Sequence, residues 1–345
     1  MKRIILAFTK SRYALELDNQ FNTPDGMTID FHGNIILAIP NAHSREGGTW
    51  LLKITPDKKV EKYFWLEPHS QTNKVCPHGI VFGSDGHLYV CDDQVIGGNT
   101  THKSQILRVV HQDGKPVREE TLVTGLVRPN GIAFANGNIY VMETQFVEEI
   151  KGPPVESGLF CFSLNEFRDL HRPIQVASNG NDRHCIFKFK TENLDWPIGA
   201  NGIAASKDGL IYVANFGERQ IFELTLDQSR SRVVSSRVCI KGSPMENVDG
   251  IRLCPKGYLF FADFAGNTVR AIDPVSEKVV TLEENSADET DERGNLDRVN
   301  EICLRGVKLY CSNINLSSDD NNDPPHSLSV LTLEGIDFAE LLEEQ

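Results

Sequence analysis

The sequence predicts an all-β protein, a six-bladed β-propeller with four strands to a blade, on three observations. The first is a phrase, clearest at residues 200–215, ANGIAASKDGLIYVAN. A polar residue before glycine leads into a short apolar run, a Lys-Asp-Gly turn and a second apolar run. Two such runs, rich in Ile, Val and Tyr, make a β-hairpin. The second is recurrence. The phrase occurs six times, around Asp25, His78, Asn130, Asn201, Asp249 and, in degenerate form, Asn300-Glu301. These polar residues stand 53, 52, 71, 48 and 51 positions apart, and a repeat of about 40–50 residues with several strands per unit marks a propeller. The third is the scarcity of helical periodicity, with only residues 336–345 suggesting a helical turn or two.

Taken in order, residues 3–8 and 13–17 precede the first phrase and belong to no unit of their own. An open ring would leave an unpaired strand edge, so one of these segments is predicted to complete the last blade. In the first unit the hairpin is followed by an outer pair, 49–54 and 59–65, joined through Pro56-Asp57. In the second the outer pair is 105–110 and 118–124, after a long glycine-rich connection at 93–103. The spacing of 71 after Asn130 marks an insertion, within 146–154 or 164–184, expected as a loop over one face. Its Arg168, His171, Arg172, Arg183 and His184 make it the most basic surface of an acidic chain. The fourth unit offers 220–226 and 232–239 as outer strands, the fifth 269–272 and 278–282, and the sixth 328–333. The repeat argues for a single domain over residues 1–345.

Composition narrows the function. Hydrophobic content of 40% and charged content of 24% are ordinary for a soluble globule. A net charge of −13 argues against nucleic acid, whose binding rests on clustered Lys and Arg. The acidic runs at 283–292 and 319–323 read as solvated loops, and the second matches no EF-hand spacing. Residues 1–6 are too short and too quickly followed by charge for a secretory core, and no run is long enough to span a membrane. A cytoplasmic protein with no membrane partner is expected. The eight cysteines show no zinc or redox spacing and are expected as free thiols, with Cys91, Cys161, Cys254, Cys303 and Cys311 in or beside strands. Nothing in the chain sets an oligomeric state.

In a propeller the innermost strand of each blade lines the central channel, so the residues before it converge on one end of the axis. Two carboxylates and three amides there suit a hard divalent cation. Turn chemistry alone remains the competing reading for any single copy, because Asn and Asp bond their own backbone in tight turns. His78 reads as a ligand, a proton shuttle or, preferably, a wall or substrate contact. A second layer, Asn41, Asp92, Asp93, Glu143, Asn215, Asp263 and Asn313, follows the second strand of each hairpin and reads as turn groups, with Glu143 and Asp263 as lesser candidates. No nucleophile elbow, P-loop or dinucleotide fingerprint occurs.

The phrases PDGM, PNGIAF, ANGIA and VDGI, one to a blade from Pro24 to Leu333, resemble the senescence marker protein/gluconolactonase/LRE-like family of six-bladed propellers. That family and the similar diisopropylfluorophosphatase-type enzymes hold a divalent metal, usually calcium, at four such positions. The resemblance implies Asp25, Asn130, Asn201 and Asp249 as ligands, with Asp249 also the acid/base group. It departs at Asp25, where the family typically has Glu, and at Met27-Thr28-Ile29, where a Pro/Trp often follows. Strictosidine synthase-like propellers share the architecture and need not share the metal. The implied activity is a metal-dependent hydrolase opening the lactone ring of a sugar lactone or related ester, with one cation, calcium first and manganese, zinc or iron(II) as alternatives. His78, Asn300, Glu301, Arg183 and His184 would contact this small-molecule substrate. A phosphotriesterase-like hydrolase at the same site and a non-catalytic binding propeller stay open.

Overall fold

The computed structural model describes residues 13–43, 47–96, 98, 102–177, 179–285, 295–315, 324 and 326–333. Its strands form six antiparallel blades. After β1 (Tyr13–Glu16), blade 1 holds β2 (Met27–Ile29), β3 (Ile35–Leu37), β4 (Thr49–Ile54) and β5 (Val60–Leu66). Blade 2 holds β6 (Pro77–Phe82), β7 (Leu88–Asp92), β8 (Ser104–Gln112) and β9 (Lys115–Leu126). Blade 3 holds β10 (Pro129–Ala135), β11 (Asn138–Glu143), β12 (Val155–Ser163) and, beyond the two-residue β13 (Ile174–Gln175), β14 (Cys185–Thr191). Blade 4 is β15 (Ala200–Ala205), β16 (Leu210–Asn215), β17 (Gln220–Leu226) and β18 (Val233–Lys241). Blade 5 is β19 (Val248–Leu253), β20 (Leu259–Asp263), β21 (Thr268–Asp273) and β22 (Lys278–Glu284). Blade 6 has β23 (Val299–Arg305), β24 (Lys308–Asn313) and β25 (Ser327–Thr332), and β1 is its fourth strand. Tyr13 pairs with Val330 and Glu16 with Ser327, so residues from the start of the chain close the last blade as the sequence predicts.

The hairpin turns are fixed locally. Asp30 Oδ1 accepts from the backbone of His32 and Asn34 across the first, and Ser206 Oγ accepts from Leu210 across the fourth. Among the described strands no ladder joins one blade to the next, except that β13 pairs with β9. Cohesion between blades therefore rests on apolar burial. Six core clusters sit one in each gap between neighbouring blades, for example Val109 and Leu107 against Leu51 and Ile36 between blades 1 and 2. At about 1.5–3 kcal/mol for each fully buried large aliphatic side chain, these gaps dominate the cohesion of the ring.

The insertion after Asn130 departs from expectation. Instead of a loop over one face, Leu164–Phe167 forms a 3₁₀ turn, N-capped by a Ser163–Glu166 capping box. The chain then runs back to blade 2, where β13 adds a fifth strand parallel to β9. The cause is apolar: Phe167 and Val176 are buried among Tyr89, Phe160 and Phe162 between blades 2 and 3, with Leu170 and Ile174 packed against them. The expected strand at 3–8, the helical turn at 336–345, the acidic run at 319–323 and most of that at 283–292 lie outside the described residues. All eight cysteines are free, and Cys91, Cys161, Cys254, Cys303 and Cys311 are buried. No helix among the described residues is long and apolar enough to cross a membrane.

Candidate functional site

Most of the recurring phrases break their own ladder, whereas in blade 1 the pairing begins at Met27, past the glycine, and is regular. The pairing of β6 with β7 is irregular between Pro77 and Ile80, and the same irregularity recurs in blades 3, 4 and 5 at Pro129/Ile132, Ala200/Ile203 and Val248/Ile251. A bulge there releases the polar residue and the glycine from the sheet and re-aims them toward the axis. The glycine is required by its neighbour. A Cβ on Gly79 or Gly131 would lie 2.2 Å from the backbone oxygen of Asn130 or Asn201, and one on Gly202 1.8 Å from that of Asp249. Blade 6 breaks the rule. Glu301 stands where the others have glycine, and its carboxylate lies over Gly250 and pairs with Arg252 at 2.9 Å.

The second layer holds these bulges in place. Asp92 Oδ1 accepts from Cys76 N, Glu143 Oε1 from Val127 N and Arg128 N, and Asp263 Oδ1 from Asn247 N. Asn41 Oδ1 accepts from Asn22 N and Asn313 Oδ1 from Asp297 N. In these blades the last residue of the second strand, or in blade 1 a residue four past its end, caps the backbone entering the first. Burial pushes Glu143 up to about 8 and Asp92 up to about 6, against the pull of those hydrogen bonds.

The six ring residues meet at the axis in two unlike halves. Across blades 6, 1 and 2 a chain of contacts is complete: Ser312 Oγ donates to Asn300 Oδ1 at 2.9 Å and Asn300 Nδ2 to Asp25 Oδ1 at 2.8 Å. Asp25 Oδ2 takes a short contact from His78 Nδ1, and His78 Nε2 lies 3.7 Å from Cys76 Sγ. Burial disfavours a charged His78, but the charge and hydrogen bond of Asp25 overcome it and hold the imidazole well above its ordinary pKa. Across blades 3, 4 and 5 the ring is open. Asn201 Nδ2 donates to Asp249 Oδ1 at 2.6 Å, while Asn201 Oδ1 is buried without a partner. Asp249 is raised well above the carboxylate range by burial, then by the charges of Asp25 and Glu301, with His78 and Arg128 opposing. The Glu301 carboxyl is pushed up to about 7 by burial, against Arg252.

Beneath the ring an axial cavity of about 480 Å³ runs along the inner strands, with Ile80, Ile132, Ile203, Leu253 and Arg252 in its wall. Above it, on the side of blades 4 and 5, Trp196, Phe216 and Phe264 meet edge to face or tilted, with ring centroids 5.8–6.3 Å apart. Arg298 lies 5.8 Å over Phe264. The sequence reading missed these aromatics and Arg128, whose Nη1 reaches Gln145 at 3.3 Å and whose Nε lies 3.3 Å from Asp93. One signal was available: Arg128 and Arg298 both stand two residues before a ring position.

Asp25, His78, Asn130, Asn201, Asp249 and Asn300 come together on the axis, with Glu301 beside them. Arg183 and His184 do not. They directly precede β14 at the end of blade 3 remote from Asn130, because Cys185 pairs with Phe160 while Val155 pairs with Thr191. Arg183 bonds Glu166 at 2.9 Å, and His184 is buried between Asp182 and Glu166 with its ring 4.6 Å from Phe162. Glu166, drawn there by the capping box, engages both away from the ring.

Among the described residues no three of His, Cys, Asp and Glu gather into a metal-holding group. The oxygens that fit a cation are of mixed type: the carboxylate of Asp249, the unpartnered Asn201 Oδ1 and the amide of Asn130. That donor set suits a hard ion. Asp25 has both oxygens committed to His78 and Asn300, and would join only by exchanging a partner.

No protein-family model matches the chain, and no curated protein matches it. Solved structures do share its fold. A luciferin-regenerating enzyme is 17% identical with a TM-score of 0.59, over 94% of this chain and 96% of its own. A gluconolactonase from Xanthomonas campestris is 12% identical with a TM-score of 0.60, over 93% and 89%. A calcium-binding protein, regucalcin, from Agrobacterium tumefaciens is 14% identical with a TM-score of 0.53, over 92% of each chain. At these identities the likeness is one of fold.

Proposed function

We propose that this chain is a divalent-metal-dependent hydrolase that opens a lactone ring, with calcium as the first choice of ion. The observation that carries the reading is the open half of the ring, where Asn201 Oδ1 is buried with nothing to bond beside a carboxyl of raised proton affinity. A cation held by Asp249, Asn201 and Asn130, with Asp25 as the exchangeable fourth ligand, would polarise the lactone carbonyl and offset the developing negative charge.

The remaining chemistry belongs to the chain. Asn201 fixes one oxygen of Asp249 at 2.6 Å and leaves the other to orient a water. Asp249 takes a proton from that water as its oxygen bonds to the carbonyl carbon. The ring C–O bond then breaks, and Asp249 returns the proton to the departing alkoxide, giving a hydroxy acid. His78 points its two nitrogens at Asp25 and Cys76 and so serves as a positively charged wall that restrains the proton affinity of Asp249. Asn300 and Glu301 complete the mouth beside it. A gluconolactonase and a calcium-binding regucalcin among the structures of this fold support the reading, and eight free thiols suit a cytoplasmic setting.

The test is pH-stat hydrolysis of aldono- and aliphatic lactones by chelator-stripped protein, with calcium, manganese, zinc or iron(II) added back and cation binding followed by calorimetry. Restored turnover supports the reading. Cation binding with turnover of phosphotriesters alone replaces the substrate class. Neither turnover nor cation binding leaves a binding propeller.

A further inference from the structure

A second cavity, of about 410 Å³, lies on the flank of blade 2 and shares no residue with the axial channel. Its floor is β8 and β9, with Arg108, Arg118 and Glu120, and its wall is the returning strap at 168–173. Glu120 is fully engaged. Its Oε2 accepts from Arg108 Nε at 2.9 Å and also from Arg108 Nη2, and its Oε1 accepts from Arg118 Nη2 at 2.6 Å. Arg108 Nη1 is fixed on Phe167 O at 3.3 Å. The strap brings Arg168, His171 and Arg172, all exposed. Among the described residues none of these three side chains makes a hydrogen bond or ion pair, although the chain has a net charge of −13 and carboxylates in excess. Four arginines and a histidine thus face one cavity against Glu120 and Asp169 alone.

We propose that this cavity binds a phosphoryl dianion, free or as the ester of a small molecule. Local excess of two positive charges matches a group carrying about −1.5 to −2 at neutral pH. Guanidinium forks suit tetrahedral oxygens better than a point ammonium would, and the volume falls in the range of about 300–1,000 Å³ usual for small ligands. The acidity of the rest of the chain repels an extended polyanion. Because β13 ties the strap to β9, an anion bridging Arg168 and Arg172 to Arg108 would also clamp blade 3 onto blade 2.

Calorimetry with inorganic phosphate, glycerol phosphate, acetate and a glutamate-rich peptide tests this. Saturable phosphate binding to the native chain and to Asp249→Ala is expected, weakened about tenfold or more in an Arg168→Ala/Arg172→Ala chain. Arg172→Gln alone, a single exposed change, is expected to weaken it in the same direction if the double variant folds poorly. Tighter binding of glycerol phosphate identifies a phosphorylated small molecule, and equal binding the free anion. Unchanged affinity in both variants, no saturation, or binding of the peptide without phosphate would overturn the proposal. The readout is independent of lactone turnover, so it stands or falls apart from the axial site.

Discussion

Around the axis, blades 6, 1 and 2 and blades 3, 4 and 5 carry the same phrase and use it in opposite ways. In the first set each polar group satisfies the next, from Ser312 through Asn300 and Asp25 to His78. In the second, Asn201 has an oxygen left over and Asp249 holds a buried carboxyl between the charges of Asp25 and Glu301 and the opposing charges of His78 and Arg128. The residue types are nearly the same. What differs is the neighbour: blade 2 offers Asp25 an imidazole donor, whereas the open half offers only amides. A ring of oxygens becomes a structural clasp or a ligand site according to which lone pairs its own members have already taken.

The largest effect that could break this comparison is at Asp249. Asp249→Asn is expected to lower lactone turnover by about 10²–10⁴-fold, the usual contribution of a general acid–base group, while thermal melting stays near that of the native chain. An unchanged rate would deny the open half its role. Next, Gly202→Ala places a methyl 1.8 Å from Asp249 O. Backbone cannot yield as a side chain would, so a loss at or above the about 1–3 kcal/mol of ordinary overpacking is expected in urea unfolding. The reverse change in blade 6, Glu301→Gly, should be milder, since that position already lacks the glycine. Asn300→Leu would strip Asp25 Oδ1 of its donor, with a cost of about 1–3 kcal/mol in stability and a smaller change in cation affinity than Asn201→Leu gives. Equal loss of cation binding in the two would erase the distinction between halves.

A separate expected effect is on pH dependence. Burial raises Glu143 from 4.5 to about 8, so the folded chain binds more protons than the unfolded one across that interval. Unfolding free energy then falls as pH rises from 4.5 towards 8. His78, raised by Asp25, acts in the same direction above 6.5. Melting temperature should decline from pH 5.5 to 8.5, and Glu143→Gln should flatten that decline without reversing it. A steeper decline in the variant would contradict the burial of the charge.

The architecture was legible because period-2 apolar runs and turn residues recur in register with the phrase. β4 and β17 fall on the residues read from sequence, and closure by the segment at 13–17 follows from the need to pair an edge. The convergence of six distant residues on one axis was legible for the same reason. Contacts that depend on reach were not. β13 is two residues long, too short to show a period, and its placement is decided by Phe167 and Val176 finding the gap between blades 2 and 3. His184, read from the sequence as a substrate contact, is engaged by Asp182 and Glu166. The split of the ring depends on which oxygen meets which donor, a fact of angles that residue names do not carry.

Closure of blade 6 by β1 also sets an order in time. Tyr13 leaves the ribosome long before Val330, the residue it pairs with, so β1 must wait unpaired while blades 1 to 5 are made. Blades formed along the way rest mostly on local hairpins, which assemble quickly, whereas the last join spans nearly the whole chain and is slow for reasons of chain entropy. Until it forms, the axis is an open arc: Asn300 has not met Asp25, and neither half of the ring exists as such. The candidate site is therefore the final thing the nascent chain acquires, and a chain interrupted before β25 would contain five recognisable blades and no closed ring.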